Sequence, residues 1–247
     1  MAPRSGSKRP SRSAPDASAL SRITSRRVPA GGEKRSLAEV ACDEIRKAIR
    51  EGRIPTGAHL TEIDAAAWLG MSRTPVREAM RRLQSEGLLL NQPFRGALVM
   101  RLDVEDMRQM FEVRELLEPA AAAACALRAT ESEIDALHEV LQREAKVLRN
   151  PAALIPLNRQ FHDLIMEAAR NQFLTKSIAA VYSLIPLLGD SNLLDEPHAR
   201  AAHAQHLKIL KAIRARDAIL AETVARAHVR HSLECRLARI EGSRQTS

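Results

Sequence analysis

Asn158 and His162 stand four residues apart in a stretch with a helical apolar period, so their side chains leave one helical face. His206 and His228 fall in two later stretches of the same kind. Three neutral imidazoles and one amide oxygen, delivered by three helices, can surround a divalent metal inside a helix bundle. Spacing alone leaves the matter open. The chain has eight histidines, and His203 with His206, or His228 with His231, also fit i, i+3. Exposed or hydrogen-bonded histidines satisfy the pattern equally well.

A second group suits different chemistry. Arg73, Arg77, Arg81 and Arg82 are opposed by Glu78 alone between residues 71 and 85. On one helix, lying off its packed stripe, they would present a cationic face to a phosphate backbone, and the first residues would reach base edges in the major groove. Ordinary solvated surface arginines would look the same in sequence.

The elements that must position these residues can be read from local signals. Residues 61–87 predict two short helices and a tight turn. Thr61 is a good N-cap, and Ile63, Ala66, Ala67 and Leu69 supply an apolar face. Gly70 ends the first helix, because glycine takes positive φ cheaply. Ser72 is placed to cap the second, and Pro75 falls in its first turn, where a missing N–H costs little. Val76, Met80 and Leu83 face inward. Before this unit, residues 36–52 predict a helix capped by Ser36, with Leu37, Val40, Ala41, Ile45, Ala48 and Ile49 buried and Gly52 as its stop. His59, which leads into the two-helix unit, reads as a surface residue rather than a ligand. After it, 88–90 and 97–100 are short strands around a turn, a hairpin with Arg95 at its tip and Gly96 permitting the return. That arginine can reach a phosphate or the minor groove.

Asp103 begins a long helix to about residue 127, with Met107, Met110, Phe111 and Leu117 on its apolar face and Pro119 as a potential kink. Further helices are expected at 131–149, 151–170, 172–189, 197–215 and 217–241, making a six-helix bundle with breaks at Asn171, Asp190 and Asp217. The expected division is a basic, disordered arm over 1–35, a DNA-binding domain over 36–100 and a helical domain over 103–241.

Composition agrees with this division. Aromatics are 2% of the 247 residues, so the core must be mostly aliphatic helix on helix. The net charge of +8 is concentrated in residues 1–35, which are rich in Ser, Arg, Pro, Ala and Gly. Such an arm either adds salt-sensitive affinity for DNA or only solubilises. Cys42, Cys125 and Cys235 are scattered and odd in number, which reads as buried free thiols in a reducing compartment. No apolar run approaches bilayer length and no apolar leader core follows the N-terminal basic residues, so a cytoplasmic, nucleoid-associated location and no membrane partner are expected.

Met71-Ser-Arg-Thr-Pro-Val-Arg-Glu-Ala79, with Leu83, Glu86-Gly-Leu88 and Arg95-Gly-Ala-Leu-Val99, resembles the winged-helix signature of the GntR family of bacterial transcription regulators. The resemblance covers residues 37–100. One departure is Thr56 in Ile54-Pro-Thr-Gly57, where members usually carry a second proline. Arg114-Glu-Leu-Leu-Glu-Pro119, then Asn158-Arg-Gln-Phe-His162 with Asn171, then His206 with Ile209, Ala212 and Asp217, then His228, resembles the all-helical FCD effector domain of the FadR subfamily, over 103–241.

The resemblance implies a mostly α protein: an N-terminal winged helix–turn–helix, then an FCD-like bundle that binds an effector and forms a homodimer. It implies that Asn158, His162, His206 and His228 hold zinc, nickel or manganese. Many members have aspartate where this chain has Asn158, and a neutral amide leaves the metal charge uncompensated. A small organic-acid effector could supply that charge, and Arg114 matches the family's cavity arginine, with a structural salt bridge as the equal alternative. For DNA, Arg73, Thr74 and Arg77 are expected at bases or phosphates, Arg81 and Arg82 on the backbone, and Arg95 and Gly96 at the wing. The expectation is a non-enzymatic regulator, a repressor of a palindromic double-stranded operator. The competing readings are a metal-dependent hydrolase-like enzyme, for which no general base is identifiable, and an architectural DNA binder without an effector.

Overall fold

The computed structural model describes residues 35–93, 95–188 and 191–245, the last three by backbone alone. The expected basic arm lies outside these residues except for Arg35. The chain forms two compact units, divided chiefly at Met100 and Arg101.

The first unit begins with α1 (Leu37–Arg50). Ser36 and Glu39 form a reciprocal capping box, which satisfies two backbone donors at the helix start. Ala41, Cys42, Ile45, Ala48 and Ile49 are buried, but Leu37 is 61% exposed. Leu37 is the first helical residue and is in phase with the buried stripe, but it is exposed at the helix end.

α2 (Glu62–Leu69) is capped by Thr61, whose Oγ1 accepts from the Asp64 N–H, and closed by Gly70 at φ 65°. Ala66 and Leu69 are buried as expected, but they are joined by Ala65 and Trp68 rather than by Ile63, which is 62% exposed, and Ala67, which is exposed. An eight-residue helix offers too few turns to fix a stripe by periodicity, and the large Trp68 selects the face. α3 (Arg73–Ser85) buries Val76, Ala79, Met80 and Leu83, as its spacing requires.

Three strands complete this unit: β1 (His59–Leu60), β2 (Leu89–Gln92) and β3 (Gly96–Val99), antiparallel in the order β1-β3-β2. β2 and β3 are the expected hairpin, with β2 displaced one residue and extended into the turn. Half-buried His59 belongs to β1, which is too short to show an alternating period. Gly96 has φ +83°, and a Cβ there would stand 2.7 Å from the Leu60 carbonyl oxygen. The glycine therefore serves the approach of β1 to β3 as well as the turn.

The second unit is a bundle of six long helices: α4 (Val104–Arg128), α5 (Glu131–Ala145), α6 (Pro151–Ala168), α7 (Gln172–Ser183), α8 (Glu196–Arg214) and α9 (Ala218–Gln245). Asp103 and Thr130 cap α4 and α5 with reciprocal boxes, and Asn150 and Asn171 cap α6 and α7. α5 stops at Ala145, short of the expected 149, and a 3-10 turn (Ile185–Leu188) replaces the end expected for α7. The expected break at Asp190 lies outside the described residues. α9 starts one residue late and continues past 241.

α4 runs on through Pro119. A proline has no N–H to return to the carbonyl four residues earlier, here that of Glu115. The aliphatic core of the unit includes Leu137, Leu141, Phe161, Ile209 and Ile213, and Cys125 lies within it. All three cysteines are buried and free. Burial pushes the Cys125 thiol up to about 12. Among the described residues, no helix is long and apolar enough to cross a membrane.

Candidate functional site

The cationic face comes first, because its geometry is set by one short helix. With Val76, Ala79, Met80 and Leu83 turned inward, Arg73, Thr74, Arg77, Arg81 and Arg82 are all exposed on α3. Arg73 Nη2 lies 3.4 Å from Glu62 Oε2 with 64% of the arginine side chain exposed, a weak tether that leaves the side chain available. Arg95 is exposed in the hairpin turn, where its N–H donates to the Gln92 carbonyl at 3.0 Å. Gly96 is half-buried, its Cα turned to the Leu60 backbone.

The second site is inside the helical unit. α6, α8 and α9 bring His162, His206 and His228 together, with one ligand nitrogen from each lying within 4.8 Å of the others. The His162 ring is 5.2 Å from that of His206 and 5.3 Å from that of His228, centroid to centroid. The Phe161 ring lies 4.5 Å from that of His206 and closes one side. Asn158, one turn before His162 on α6, is half-buried.

Two of the three rings are anchored through Nδ1. His206 Nδ1 lies 3.1 Å from Glu144 Oε2, and His228 Nδ1 lies 2.8 Å from Gln205 Oε1. An ionised carboxylate only accepts, so His206 carries its proton on Nδ1 and keeps a lone pair on Nε2. His206 Nε2 is buried and has no hydrogen-bond partner. A buried polar atom without a partner is costly, and here it belongs to a lone pair facing two other imidazoles. Neutral imidazoles with free lone pairs are the donor set that zinc and nickel prefer, so the residues fit the metal that the family resemblance implies.

The electrostatics favour the neutral form at His162 and His228. Burial, then the neighbouring histidines, then Arg114 hold His162 well below the ordinary histidine range. His228 is lowered well below it too, by burial and then by His206. Burial raises Glu144, but hydrogen bonds from His203 and His206 outweigh it and leave that carboxyl below the usual range.

Beside the triad lies a cavity with about 20 Å³ of space for the centre of a water, lined among others by His162, His228, Glu118 and Tyr182. Arg114 does not line it. That side chain is buried on α4, its Nε donating to Glu118 Oε1 at 2.6 Å and its guanidinium 4.3 Å from the Phe111 ring centroid. The structural salt bridge is therefore present. Tyr182 is pushed well above the usual phenol range, first by burial and then by Glu118.

Sequence reasoning missed Glu144, Gln205 and the role of His203, whose spacing to His206 seemed incidental. His203 Nδ1 lies 2.9 Å from the Glu144 oxygen that His206 also meets. Glu144 stands between Arg143 and Ala145 with Lys146 next. Such a charged run looks like a solvated face, and no local signal betrays its burial.

A winged unit with an arginine-rich second helix, followed by a helical unit with a histidine triad of which two members are buried, is the architecture of a regulator with an N-terminal winged helix and a C-terminal sensing domain. Family models agree with that class. Residues 37–99 match "Bacterial regulatory proteins, gntR family", and residues 109–231 match the FCD domain. The chain is 30% identical over 200 residues to a "Probable D-xylose utilization operon transcriptional repressor" of Paenarthrobacter nicotinovorans, covering 78% of this chain and 86% of that protein. It is 27% identical over 188 residues to the "Nta operon transcriptional regulator" of Aminobacter aminovorans, covering 76% and 88%. Among solved structures, E. coli McbR/YncC superposes with a TM-score of 0.73 at 21% identity over 83% of this chain and 99% of that one, which shows the fold. The chain belongs to the GntR family and carries an FCD domain. It is a DNA-binding transcriptional regulator.

Proposed function

We propose that this regulator holds a divalent transition metal at His162, His206 and His228, with Asn158 as an oxygen donor, and that a small organic acid bound beside the metal changes its affinity for an operator. The observation that carries this reading is the buried, partnerless Nε2 of His206 within a cluster of three imidazoles. When bound, the metal supplies a Lewis-acidic centre for a carboxylate oxygen. Asn158 adds no negative charge, so effector charge and metal would reinforce one another. Arg114 can meet the effector only by sharing or releasing Glu118. In this reading the metal is a binding group rather than a catalyst.

At the other unit, Arg73, Thr74 and Arg77 contact bases or phosphates, Arg81 and Arg82 the backbone, and Arg95 and Gly96 the adjacent groove. The exposure of the five α3 residues and of Arg95 supports these roles, and half-buried Gly96 would contribute through its backbone. Two copies joined through the helical units would read a palindromic operator as a homodimer in the cytoplasm, and the relative named as an operon repressor supports the repressor part of that reading.

The test is metal content, by elemental mass spectrometry on untagged protein, for wild type and His206→Ala. Near-stoichiometric metal in wild type, lost in the variant, is expected. DNA affinity by fluorescence anisotropy should then shift on adding mono- and dicarboxylic acids to the loaded protein, by a coupling of about 1–3 kcal/mol. Metal absent from wild type overturns the metal assignment, and DNA binding indifferent to every acid overturns the effector assignment.

A further inference from the structure

Glu144 is 1% exposed, on the last turn of α5, and no expected metal ligand comes from that helix. A buried carboxylate is expensive unless paired and hydrogen-bonded. Here one oxygen receives two imidazole nitrogens, His203 Nδ1 at 2.9 Å and His206 Nδ1 at 3.1 Å. Both donors come from α8. The arrangement has a specific effect on His206: it commits Nδ1 to the proton and turns the Nε2 lone pair toward His162 and His228.

The charge balance points the same way. His162, His206 and His228 are neutral ligands, and Asn158 is a neutral oxygen donor. A divalent ion placed among them would have no compensating negative charge from the atoms that touch it. Glu144 lies one hydrogen bond behind His206, whereas Glu118, which lines the adjoining cavity, is already paired with Arg114.

The geometry points to Glu144 as the positioning residue of the metal site: it fixes the His206 tautomer and supplies, through His206, the negative charge that Asn158 does not. A carboxylate behind a metal-bound histidine raises the basicity of that ligand and fixes its ring, and loss of such partners costs about 10–100-fold in metal affinity. His203 in turn holds Glu144 in place. The inference rests on the proposed metal site.

The experiment is zinc affinity of the untagged full-length protein, by competition with a chromophoric chelator, for wild type, Glu144→Gln, Asn158→Asp and the double variant. Glu144→Gln keeps the shape but not the charge. It should weaken zinc binding about 10–100-fold, and Asn158→Asp should restore most of that loss in the double variant. A merely structural glutamate would let Asn158→Asp add the same gain in zinc affinity in both backgrounds, whereas a charge role makes that gain larger in the Glu144→Gln background. Equal zinc affinity in wild type and Glu144→Gln, or a gain no larger in that background, overturns the role of Glu144 and leaves the metal site standing. Failure of wild type itself to bind zinc overturns both.

A second measurement does not depend on the variant folding. Two-bond ¹⁵N–¹H spectra of the wild-type imidazoles should show His206 protonated at Nδ1, and zinc should displace the Nε2 resonance. An Nε2–H tautomer, or zinc at Nδ1, overturns the inference.

Discussion

Arg226 Nη1 donates to the backbone carbonyl of Glu115 at 2.6 Å, and that carbonyl is the one Pro119 leaves without its helical donor. α9 thus repairs a gap that a proline opens in α4. The same arginine is held by Glu222 at 2.7 Å, so its guanidinium arrives pre-positioned. Arg226→Ala should destabilise the helical unit by about 1–3 kcal/mol, the cost of a carbonyl left unsatisfied. The cost should shrink in a Pro119→Ala background, where the helix supplies its own donor. Urea unfolding of the four variants checks this, and an equal cost in both backgrounds would separate Arg226 from the proline.

Gly96 is the wing position with least freedom. It combines φ +83° with a Cβ site 2.7 Å from the Leu60 carbonyl oxygen, whereas Gly52, at φ +69°, faces open space. Gly52→Ala should therefore cost only the left-handed strain, about 1 kcal/mol, and Gly96→Ala more, roughly 2–4 kcal/mol. The comparison is between thermal melts of the two variants. Equal losses would mean that β1 yields to the added methyl group.

Acid should destabilise the metal-free protein. The folded-state values of His162 and His228 are both lowered, so below about pH 6.5 the unfolded chain binds protons that the folded chain refuses. Stability is full above the ordinary histidine value and is lost as pH falls beneath it, by at most about 1.4 kcal/mol per pH unit for each histidine. Denaturant midpoints between pH 5 and 8 measure the slope. In the variant His162→Gln/His228→Gln the slope between pH 6.5 and 5 should flatten, and an unchanged slope would assign the acid sensitivity elsewhere.

For DNA, the arginines of α3 should separate into two kinds. Arg73→Ala and Arg77→Ala, at the helix start, should cost about 1–3 kcal/mol on an operator selected from random duplexes by the wild-type protein, with relaxed specificity at the positions they read. Arg81→Ala and Arg82→Ala should weaken all sequences alike and lower the salt slope by about 1 each. Anisotropy titrations from 50 to 200 mM salt distinguish them. Uniform losses for all four would make the contacts entirely phosphate-directed.

How much of this was legible depends on how local each signal is. The N-caps Ser36 and Asp103 and the left-handed stop at Gly70 are signals within one helical turn, and each was readable in sequence, though the reciprocal partners Glu39 and Asp106 were not named. The His162–His206–His228 grouping was suggested by helical spacing and resemblance, but its supports were not. Glu144 and Gln205 gain their meaning from rings on other turns or other helices. Ile63 and Leu37 show the opposite failure. Both are apolar at a plausible phase, yet both are exposed, because in the first turn of a helix burial is set by what packs there rather than by period.

Arg114 carries two expectations that one ion pair now sets against each other. Its contact with Glu118 is buried on both sides, at 9% and 7% side-chain exposure. Desolvation lowers the arginine, but the Glu118 charge, Tyr182 and the hydrogen bonds to both together outweigh it, and the guanidinium stays charged. Removing one partner from a buried pair strands the other, at about 3–5 kcal/mol, whereas replacing both with apolar residues of similar volume is often nearly neutral. Arg114→Met should therefore strongly destabilise the helical unit, and Arg114→Met/Glu118→Leu should recover most of that loss. Urea unfolding decides the structural half. If the double variant is stable, still binds zinc and no longer shifts its DNA affinity with any carboxylic acid that acts on wild type, the ion pair is also where the effector is sensed. A stable double variant with an intact acid response would confine Arg114 to holding α4.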